Sequence, residues 1–407
     1  AGAAFTDQAD IKVENEVVDT LIELGVINGY TDGSFKPNDT VTRAEMAKMI
    51  YVLRTGNSDA SAYNDDKTSF TDIGSHWARG YIKYCQSLGI IAGKSNTKFC
   101  PNDKVTAQEA AKMLLVTLGY NAQKAGLVGT GWASKTNALA DENGLLEDVN
   151  TSFTGPCPRQ YAAQLIYNTI FANTVILRDG EYTNMNLLGT DKLETVGEKY
   201  MGLNKTVGIL NDVTKDTDKN TYSLNVTVNQ TESTGKKLDA FTKVTKDYSA
   251  LKYQKVKVLY KDKDNVFGVY SMTDDNTVVS NVMDNVKLDS NKLKIDGTKY
   301  SIASDSTVYV DGDKMYTTDG GNTFTTNSKA TNAKEATIAQ WVAKNSEGDN
   351  IGKASSVQAI SNTDSSKINI LKVTTYTVKK VTYVGTDYIN AGGARKDDDY
   401  NYPSDIK

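Results

Sequence analysis

The sequence predicts a chain in two parts, a helical N-terminal part followed by an all-β part. A segment of the first part recurs at an offset of 64 or 65 residues, which indicates a repeated structural unit. Near residue 175 both the composition and the spacing of apolar residues change. We therefore expect an α plus all-β multidomain fold, in which three helical copies precede β-rich modules of the barrel or sandwich type.

Four stretches of the first part place apolar residues on one face of a helix. Their spacings of three, four and seven residues are those of an amphipathic helix packed on a core. The sets are Val17, Leu21 and Leu24; Met46, Ile50 and Leu53; Ala110, Leu114 and Leu118; and Ala162, Leu165 and Ile166.

The second part alternates apolar and polar residues, as half-buried strands do. Tyr222, Leu224 and Val226 show the pattern, and Asp296-Gly297 and Asp311-Gly312 have the sequence of hairpin turns. A short amphipathic helix is predicted around Trp341. Between Arg178 and Arg395 every basic side chain is lysine, and we expect β modules at 175–275 and 276–396, followed by a linker at 397–407.

The repeat gives the boundaries of the helical copies, which we place at 1–56, 57–119 and a degenerate 120–174. Phe5-Thr6-Asp7 recurs as Phe70-Thr71-Asp72, and the run from Phe35 to Thr42 recurs from Phe99 to Thr106. The third copy is faint, with Trp132-Ala133 in the place of Trp77-Ala78. The unit is therefore a helix–loop–helix.

Capping residues mark where helices should begin. Thr42 with Glu45, and Thr106 with Glu109, have the spacing of a capping box, in which side chain and backbone amide bond reciprocally. Asp7 and Asp72 stand ahead of predicted helices, and we expect them to cap those helices.

The combined order of motifs resembles the surface-layer homology domain, a family that usually has three copies. The motifs are Phe-x-Asp, Trp-Ala, Leu-Gly-Ile-Ile-x-Gly, Phe-x-Pro and Thr-Arg-Ala-Glu, and they extend over about residues 5–172. The resemblance implies a pseudo-threefold helical spindle. Its grooves would bind secondary cell wall polysaccharide, often pyruvylated, and hold a secreted surface protein on a bacterium of the Gram-positive type.

The candidate carbohydrate-binding residues follow from the same motifs. Arg43 begins a predicted helix, where a pyruvate carboxylate would meet a guanidinium and exposed amides together. Arg159 takes this position in the third copy, but Ala107 replaces it in the second, so we expect unequal grooves. Tyr30 or Trp77 would lie against a sugar ring, although the core is the preferred assignment for Trp77 and Trp132. The connector glycines Gly29 and Gly93 complete the candidate site.

Composition excludes several other functions. A net charge of −4 argues against nucleic-acid binding, and no apolar run reaches the roughly 20 residues of a membrane span. His76 is the only histidine, and no catalytic set or Gly-rich phosphate loop is present, so we expect no enzymatic activity. No cofactor is predicted. Asp216, Asp218 and Asn220 have calcium-loop spacing, but a hairpin turn explains them better.

The three cysteines do not form a disulfide framework. Cys85 lies on an apolar helix face, whereas Cys100 and Cys157 lie in loops and either pair or stay reduced. The chain opens with the small residues Ala1 to Ala4 rather than Met, which is what remains after a signal peptide is removed, although a recombinant start has the same appearance.

The leading functional hypothesis is a structural surface-layer subunit that binds wall polysaccharide and associates with copies of itself. The alternative is an anchored adhesin or exoenzyme, whose effector region lies in the β part or beyond residue 407. A third hypothesis is a porin-like outer-membrane protein that uses one such repeat as a tether. It is disfavoured because this sequence has three copies of the repeat.

Overall fold

The computed structural model describes residues 4–348, 350–363, 365–376, 379–394 and 396–402. They belong to two compact units, residues 1–252 with 256–270 and residues 253–255 with 271–407. The start of the chain at Ala1 lies outside the described residues. No described helix is long and apolar enough to cross a membrane.

Six helices occupy the part of the first unit in which the repeat was found, two in each predicted copy. They are α1 (Asn15–Glu23), α2 (Arg43–Thr55), α3 (Arg79–Ser87), α4 (Ala107–Leu118), α5 (Trp132–Glu142) and α6 (Arg159–Ile170). Single 3-10 turns lie at Gln8–Asp10 and Ser61–Tyr63.

Both capping boxes are present. The Thr42 hydroxyl accepts the Glu45 amide at 3.1 Å, and the Glu45 carboxylate accepts the Thr42 amide at 2.9 Å. Thr106 and Glu109 repeat this arrangement at the start of α4. Helix α6 begins after Pro158, which makes no side-chain cap bond.

A closed ring of backbone hydrogen bonds joins the segments that precede α2, α4 and α6. The Val41 amide donates to the Cys157 carbonyl, the Cys157 amide to Val105, and the Val105 amide back to Val41, each at 2.9 Å. The ring brings the first turns of these three helices together.

The prediction that Asp7 and Asp72 cap helices is wrong. Neither makes a cap bond; instead each accepts two amides of its own copy's connector, Asp7 from Phe35 and Lys36 at 2.9 and 2.8 Å. Asp72 holds the amides of Phe99 and Cys100 in the same way. Lys36 and Cys100 have positive φ angles, 55° and 59°, a conformation that costs energy for residues other than glycine. The carboxylate therefore stabilises a strained turn.

The rest of the first unit is a hairpin, a short helix and a sheet. The elements are β1 (Val175–Arg178), β2 (Glu181–Asn184), α7 (Val196–Met201), β3 (Asn204–Asp216), β4 (Thr221–Val228), β5 (Ala240–Val244), β6 (Lys255–Asp262) and β7 (Asn265–Ser271), with a 3-10 turn at Ser249–Leu251. The five-stranded sheet has the order β5-β4-β3-β6-β7. Leu203 and Leu259 belong to the same buried cluster as the helices, so helices and sheet share a core.

The second unit is built on a mixed sheet. Its strands are β8 (Thr277–Val282), β9 (Val286–Asp289), β10 (Lys292–Ile295), β11 (Thr298–Val310), β12 (Asp313–Lys314), β13 (Tyr316–Thr317), β14 (Lys334–Glu335), β15 (Ser356–Ser361), β16 (Ile368–Thr374), β17 (Val381–Val384), β18 (Tyr388–Ala391) and β19 (Asp399–Asn401), with a 3-10 turn at Met283–Asn285. The main order is β8-β15-β16-β11-β10-β9, and β11 pairs with β16 in parallel. The predicted short helix is α8 (Ile338–Asn345), whose Trp341 is buried in the sheet's core.

The β part departs from the prediction in several details. Among the described residues, β5 and β7 are the edge strands of the first sheet, and β8 and β9 are those of the second. That the modules are barrels or sandwiches stays a prediction. Part of the expected linker is strand, because β19 pairs with β18.

The calcium candidate is a hairpin turn. Asp216 ends β3, and its carboxylate accepts the amide of Asp218 at 3.2 Å, while Asn220 precedes β4 with φ 52°. Within the described ranges no group of three or more acidic, histidine or cysteine residues is placed to hold a metal ion.

The cysteines are not paired. Cys85 and Cys157 are buried and Cys100 is half-buried, and all three are thiols. The Cys157 backbone belongs to the ring of hydrogen bonds, whereas Cys100 lies in the turn held by Asp72. Burial raises the pKa of Cys85 and of Cys157 to about 12, so neither is a thiolate at neutral pH.

A charged cluster connects the first sheet to the helices. Lys257 of β6 lies 3.3 Å from the Glu16 carboxylate of α1, which also accepts the Tyr167 hydroxyl of α6 at 3.0 Å. Lys205 of β3 lies over the Phe171 ring. Burial, together with the charge of Lys257, lowers the pKa of Lys205 to about 8.

We expect the difference in unfolding free energy between the wild type and the variant Lys205→Met to depend on pH, because burial disfavours the charged form of Lys205. Between pH 8 and 10.5 the unfolded chain holds a proton on Lys205 that the folded chain has lost. The unfolding free energy of the wild type should therefore rise across this window relative to the variant. Urea unfolding at several pH values checks it; a difference that does not change with pH would contradict it.

We expect Asp72→Asn to lower the unfolding free energy by about 1–3 kcal/mol. The carboxylate accepts the Phe99 and Cys100 amides with its two oxygens, whereas an asparagine side chain has only one oxygen to accept them. Asp66→Asn, an exposed carboxylate in the same copy, is the control and should have little effect. Thermal unfolding of both variants measures the difference.

Candidate functional site

A cleft of about 460 Å³ lies between the connector that follows α1 and the first turns of α2 and α6. It contains four of the residues predicted to bind carbohydrate: Gly29, Tyr30, Trp77 and Arg159. These residues come from all three predicted copies, so the cleft exists only because the copies meet. Its other lining residues are Val26, Ile27, Asn28, Thr42, Glu45, Lys48, Met49 and Asn102.

Arg159 forms the floor of the cleft and crosses from the third copy to the first. Its Nε donates to the Phe35 carbonyl at 3.1 Å and its Nη2 to the Asn28 carbonyl at 2.8 Å. The guanidinium lies 4.9 Å from the centre of the Tyr30 ring, an attractive cation–π contact. Nη1 has no hydrogen-bond partner among the described residues. Arg159 thus holds the connector and keeps one donor group for the cleft.

Positive charge predominates along the lining. Lys48, on α2, and Arg159 carry one positive charge each, and Glu45, whose carboxylate is engaged in its capping box, carries the negative one. Lys36 adds a further ammonium group 4.2 Å from the Tyr30 ring centre, just beside the cleft. The cleft therefore favours an anion.

Trp77 is exposed, so the preferred assignment of this residue to the core is wrong, and its candidate place in the binding site agrees with the cleft. Its side chain is 55% exposed and forms one wall of the cleft. His76 supports it, with ring centroids 5.4 Å apart. His76 is itself fixed by the Ala78 amide, at 3.0 Å, and by Asn102, at 2.8 Å. A rigid, flat apolar surface results, of the kind that packs against a sugar ring.

The two connector glycines allow close approach of neighbouring groups. A Cβ on Gly29 would lie 2.7 Å from a carbon of the Phe5 ring, and one on Gly93 would lie 2.2 Å from the Ser95 carbonyl. Gly29 lines the cleft, whereas Gly93 has the equivalent position in the second copy and does not line it.

Arg43 does not have the predicted role. It is only 4% exposed, and its Nε, Nη1 and Nη2 all donate to the second copy, to the Phe99 carbonyl, the Glu109 carboxylate and the Ala92 carbonyl. The ion pair with Glu109 measures 3.0 Å. All the side-chain hydrogen bonds of Arg43 therefore go to the protein. The second copy has Ala107 at the equivalent position, so no arginine reaches from the second copy to the third.

The first-turn amides are also committed, contrary to expectation. The Arg159 and Gln160 amides donate to the carbonyls of Asp39 and Pro37 at 2.8 and 3.0 Å. The amides of Arg43 and Ala44 bond in the same way to the second copy. An anion in the cleft would meet side chains rather than a helix N-terminus.

Sequence reasoning missed Lys48 and Asn102. Lys48 lies three residues after Glu45 and so on the same face of α2, a spacing that could have identified it. Asn102 belongs to the second copy's connector, and its position beside His76 depends on the packing of the copies.

Known proteins share these motifs. The S-layer homology domain matches residues 4–47 and 69–111. This chain contains two S-layer homology domains. They coincide with the first two predicted copies, and the third copy stays a prediction.

Several of the similar proteins are bacterial surface or anchoring proteins. A cell surface protein of Thermoanaerobacter kivui is 27% identical over 200 residues, 49% of this chain and 25% of the relative. A surface layer protein of Brevibacillus choshinensis is 30% identical over 189 residues, 46% of this chain and 16% of the relative. A cellulosome-anchoring protein of Acetivibrio thermocellus is 29% identical over 110 residues, 27% of this chain and 25% of the relative.

The chain spans a quarter or less of the length of each of these relatives. The predictions of an S-layer homology protein and of a location at the cell surface are confirmed.

We expect Arg43→Ala to destabilise the S-layer homology region by about 3–5 kcal/mol, because it removes the buried guanidinium that pairs with Glu109 and leaves two carbonyls of the second copy without their donor. Arg178→Ala, an exposed arginine on β1, is the matched control and should change stability by less than about 0.5 kcal/mol. Chemical unfolding measures both, and equal stabilities would show that the buried contacts of Arg43 contribute nothing.

Proposed function

We propose that this chain anchors to the bacterial cell wall by binding secondary wall polysaccharide in the cleft that contains Arg159. One observation carries the proposal: Gly29, Tyr30, Trp77 and Arg159, chosen from sequence motifs alone, line a single positively charged cleft. The S-layer homology domains support it, because they lie on two sides of this cleft.

We also infer that the three copies form a pseudo-threefold spindle. The ring through Val41, Val105 and Cys157 supports it, since each copy donates to one neighbour and accepts from the other. Two arginines follow the same order, Arg43 reaching from the first copy to the second and Arg159 from the third to the first. The third junction has Ala107 instead, which makes the three grooves unequal.

The ligand that suits the cleft is a sugar with a carboxylate, such as a pyruvate ketal. The carboxylate would bind the Nη1 group of Arg159 and the ammonium of Lys48, and charge-assisted bonds of this kind are the stronger class. The sugar ring would pack between Trp77 and Tyr30, which have apolar surface exposed there.

We expect the double variant Lys48→Ala/Trp77→Ala to weaken binding to purified, pyruvylated wall polysaccharide by at least about ten-fold. Neither side chain is part of the buried core, so the fold should be kept. The control Lys112→Ala/Tyr376→Ala removes the equivalent lysine of the second copy and an exposed tyrosine of the other unit, and it should bind like the wild type.

Two comparisons separate the outcomes of this experiment. Polysaccharide stripped of pyruvate should bind the wild type as weakly as the intact polymer binds the double variant. Undiminished binding by the double variant would rule out the cleft, and equal binding of both polymers would rule out recognition of the carboxylate.

For the β-rich part we propose a structural, non-enzymatic role in a surface layer formed by association of many copies. The surface layer protein among the relatives supports this role. The alternative is an anchored adhesin or exoenzyme, and two further relatives, an exoglucanase and an amylopullulanase, favour the exoenzyme. Electron microscopy distinguishes them, because a layer-forming protein gives ordered sheets, whereas monomers under every ionic condition would favour the alternative.

A further inference from the structure

A second, larger cavity of about 580 Å³ lies between α1 and the edge of the first sheet, within the first unit. Of the residues that the sequence motifs singled out, Phe5 and Gly29 line it. Its volume is in the range of about 300–1,000 Å³ that is usual for ligand sites. Gly29 lines both this cavity and the Arg159 cleft, so the two are neighbours across one glycine.

The walls of the cavity are largely aromatic. Phe5, Tyr248, Phe267 and Tyr270 line it, and each is half-buried rather than enclosed in the core. Rings held in this way give flat apolar surfaces with polar edges, since the two tyrosines keep their hydroxyls. Burial raises the pKa of both tyrosines, and nearby Asp19 adds to this effect on Tyr270, so both remain hydrogen-bond donors at neutral pH.

Helix α1 supplies the polar wall. Asp19 and Glu23 are four residues apart and so lie on the same face of the helix. Between them Thr20 is 2% exposed, and its hydroxyl has no partner among the described residues. A buried hydroxyl without a partner is costly, and a ligand hydroxyl in the cavity would relieve that cost.

The charges of the cavity select against an anion. Two carboxylates, Asp19 and Glu23, face one ammonium group, that of Lys246, which lies 5.3 Å from the Tyr248 ring centre. The Arg159 cleft has the opposite balance. An anionic sugar would therefore be repelled from this cavity, whereas an uncharged sugar offers hydroxyls for the carboxylates and a C–H face for the rings.

We propose that this cavity binds an uncharged pyranose residue of the same wall polymer whose anionic residue occupies the Arg159 cleft. The inference rests on the proposed function, because the polymer reaches the cavity past Gly29. Gly29 is the residue shared by both sites, and Phe5 of the cavity lies against it, which leaves no room for a side chain on the glycine. The cleft would then recognise the charged sugar, and the cavity would recognise its neighbour in the chain.

Titration calorimetry with two probes tests the proposal. The first is the purified, pyruvylated wall polysaccharide, and the second is a methyl hexopyranoside with a 4,6-pyruvate ketal, which fills the Arg159 cleft alone. The cavity variants are Tyr248→Ala and, because Tyr248 also packs on the sheet core, the exposed Glu23→Ala. Glu14→Ala, just before the same helix, is the control, and melting temperatures verify the fold.

We expect each cavity variant to bind the polysaccharide about ten-fold more weakly than wild type and the monosaccharide within about two-fold of wild type. Trp77→Ala should weaken both probes. Wild-type affinity for the polysaccharide in the folded Glu23→Ala variant and in any folded Tyr248→Ala variant would overturn the cavity proposal and leave the cleft intact. Failure of the wild type to bind either probe would instead overturn the proposed function.

Discussion

The structure of the helical part depends on the three backbone hydrogen bonds that close a ring through Val41, Val105 and Cys157. Each bond joins two copies, so no copy can satisfy these amides and carbonyls by itself. The ring fixes where α2, α4 and α6 begin. From that position the side chain of Arg159 reaches the Phe35 carbonyl of the first copy, and the cleft forms between them.

Equivalent positions in the copies have diverged in chemistry although the backbone contacts are the same. Arg43 and Arg159 both bond to the carbonyl of a connector phenylalanine. Arg43 also forms an ion pair with Glu109 through Nη1 and donates from Nη2 to the Ala92 carbonyl, so all three of its nitrogens are engaged. Arg159 donates through Nε and Nη2 only, and its Nη1 has no partner among the described residues. The same residue type is thus fully engaged at one junction and has one unbonded donor group at the other.

The sequence predicted the helices well, because amphipathic spacing and the capping boxes at Thr42 and Thr106 are local signals. Through the repeat it also identified four of the twelve residues that line the cleft: Gly29, Tyr30, Trp77 and Arg159. It failed for Arg43, for Asp7 and for the assignment of Trp77 to the core, because their partners or their exposure depend on another copy or on a turn about 30 residues away. The mixed sheet that packs against α8 could not be predicted either, since the parallel pairing of β11 with β16 joins segments that are distant in the sequence.

A crystal structure of the chain with a pyruvylated fragment of wall polysaccharide tests the central claim most directly. The account predicts the ketal carboxylate within hydrogen-bonding distance of Arg159 Nη1 and Lys48 Nζ, and the sugar ring against Trp77. A carboxylate bound elsewhere on the chain, with this cleft empty, would contradict it.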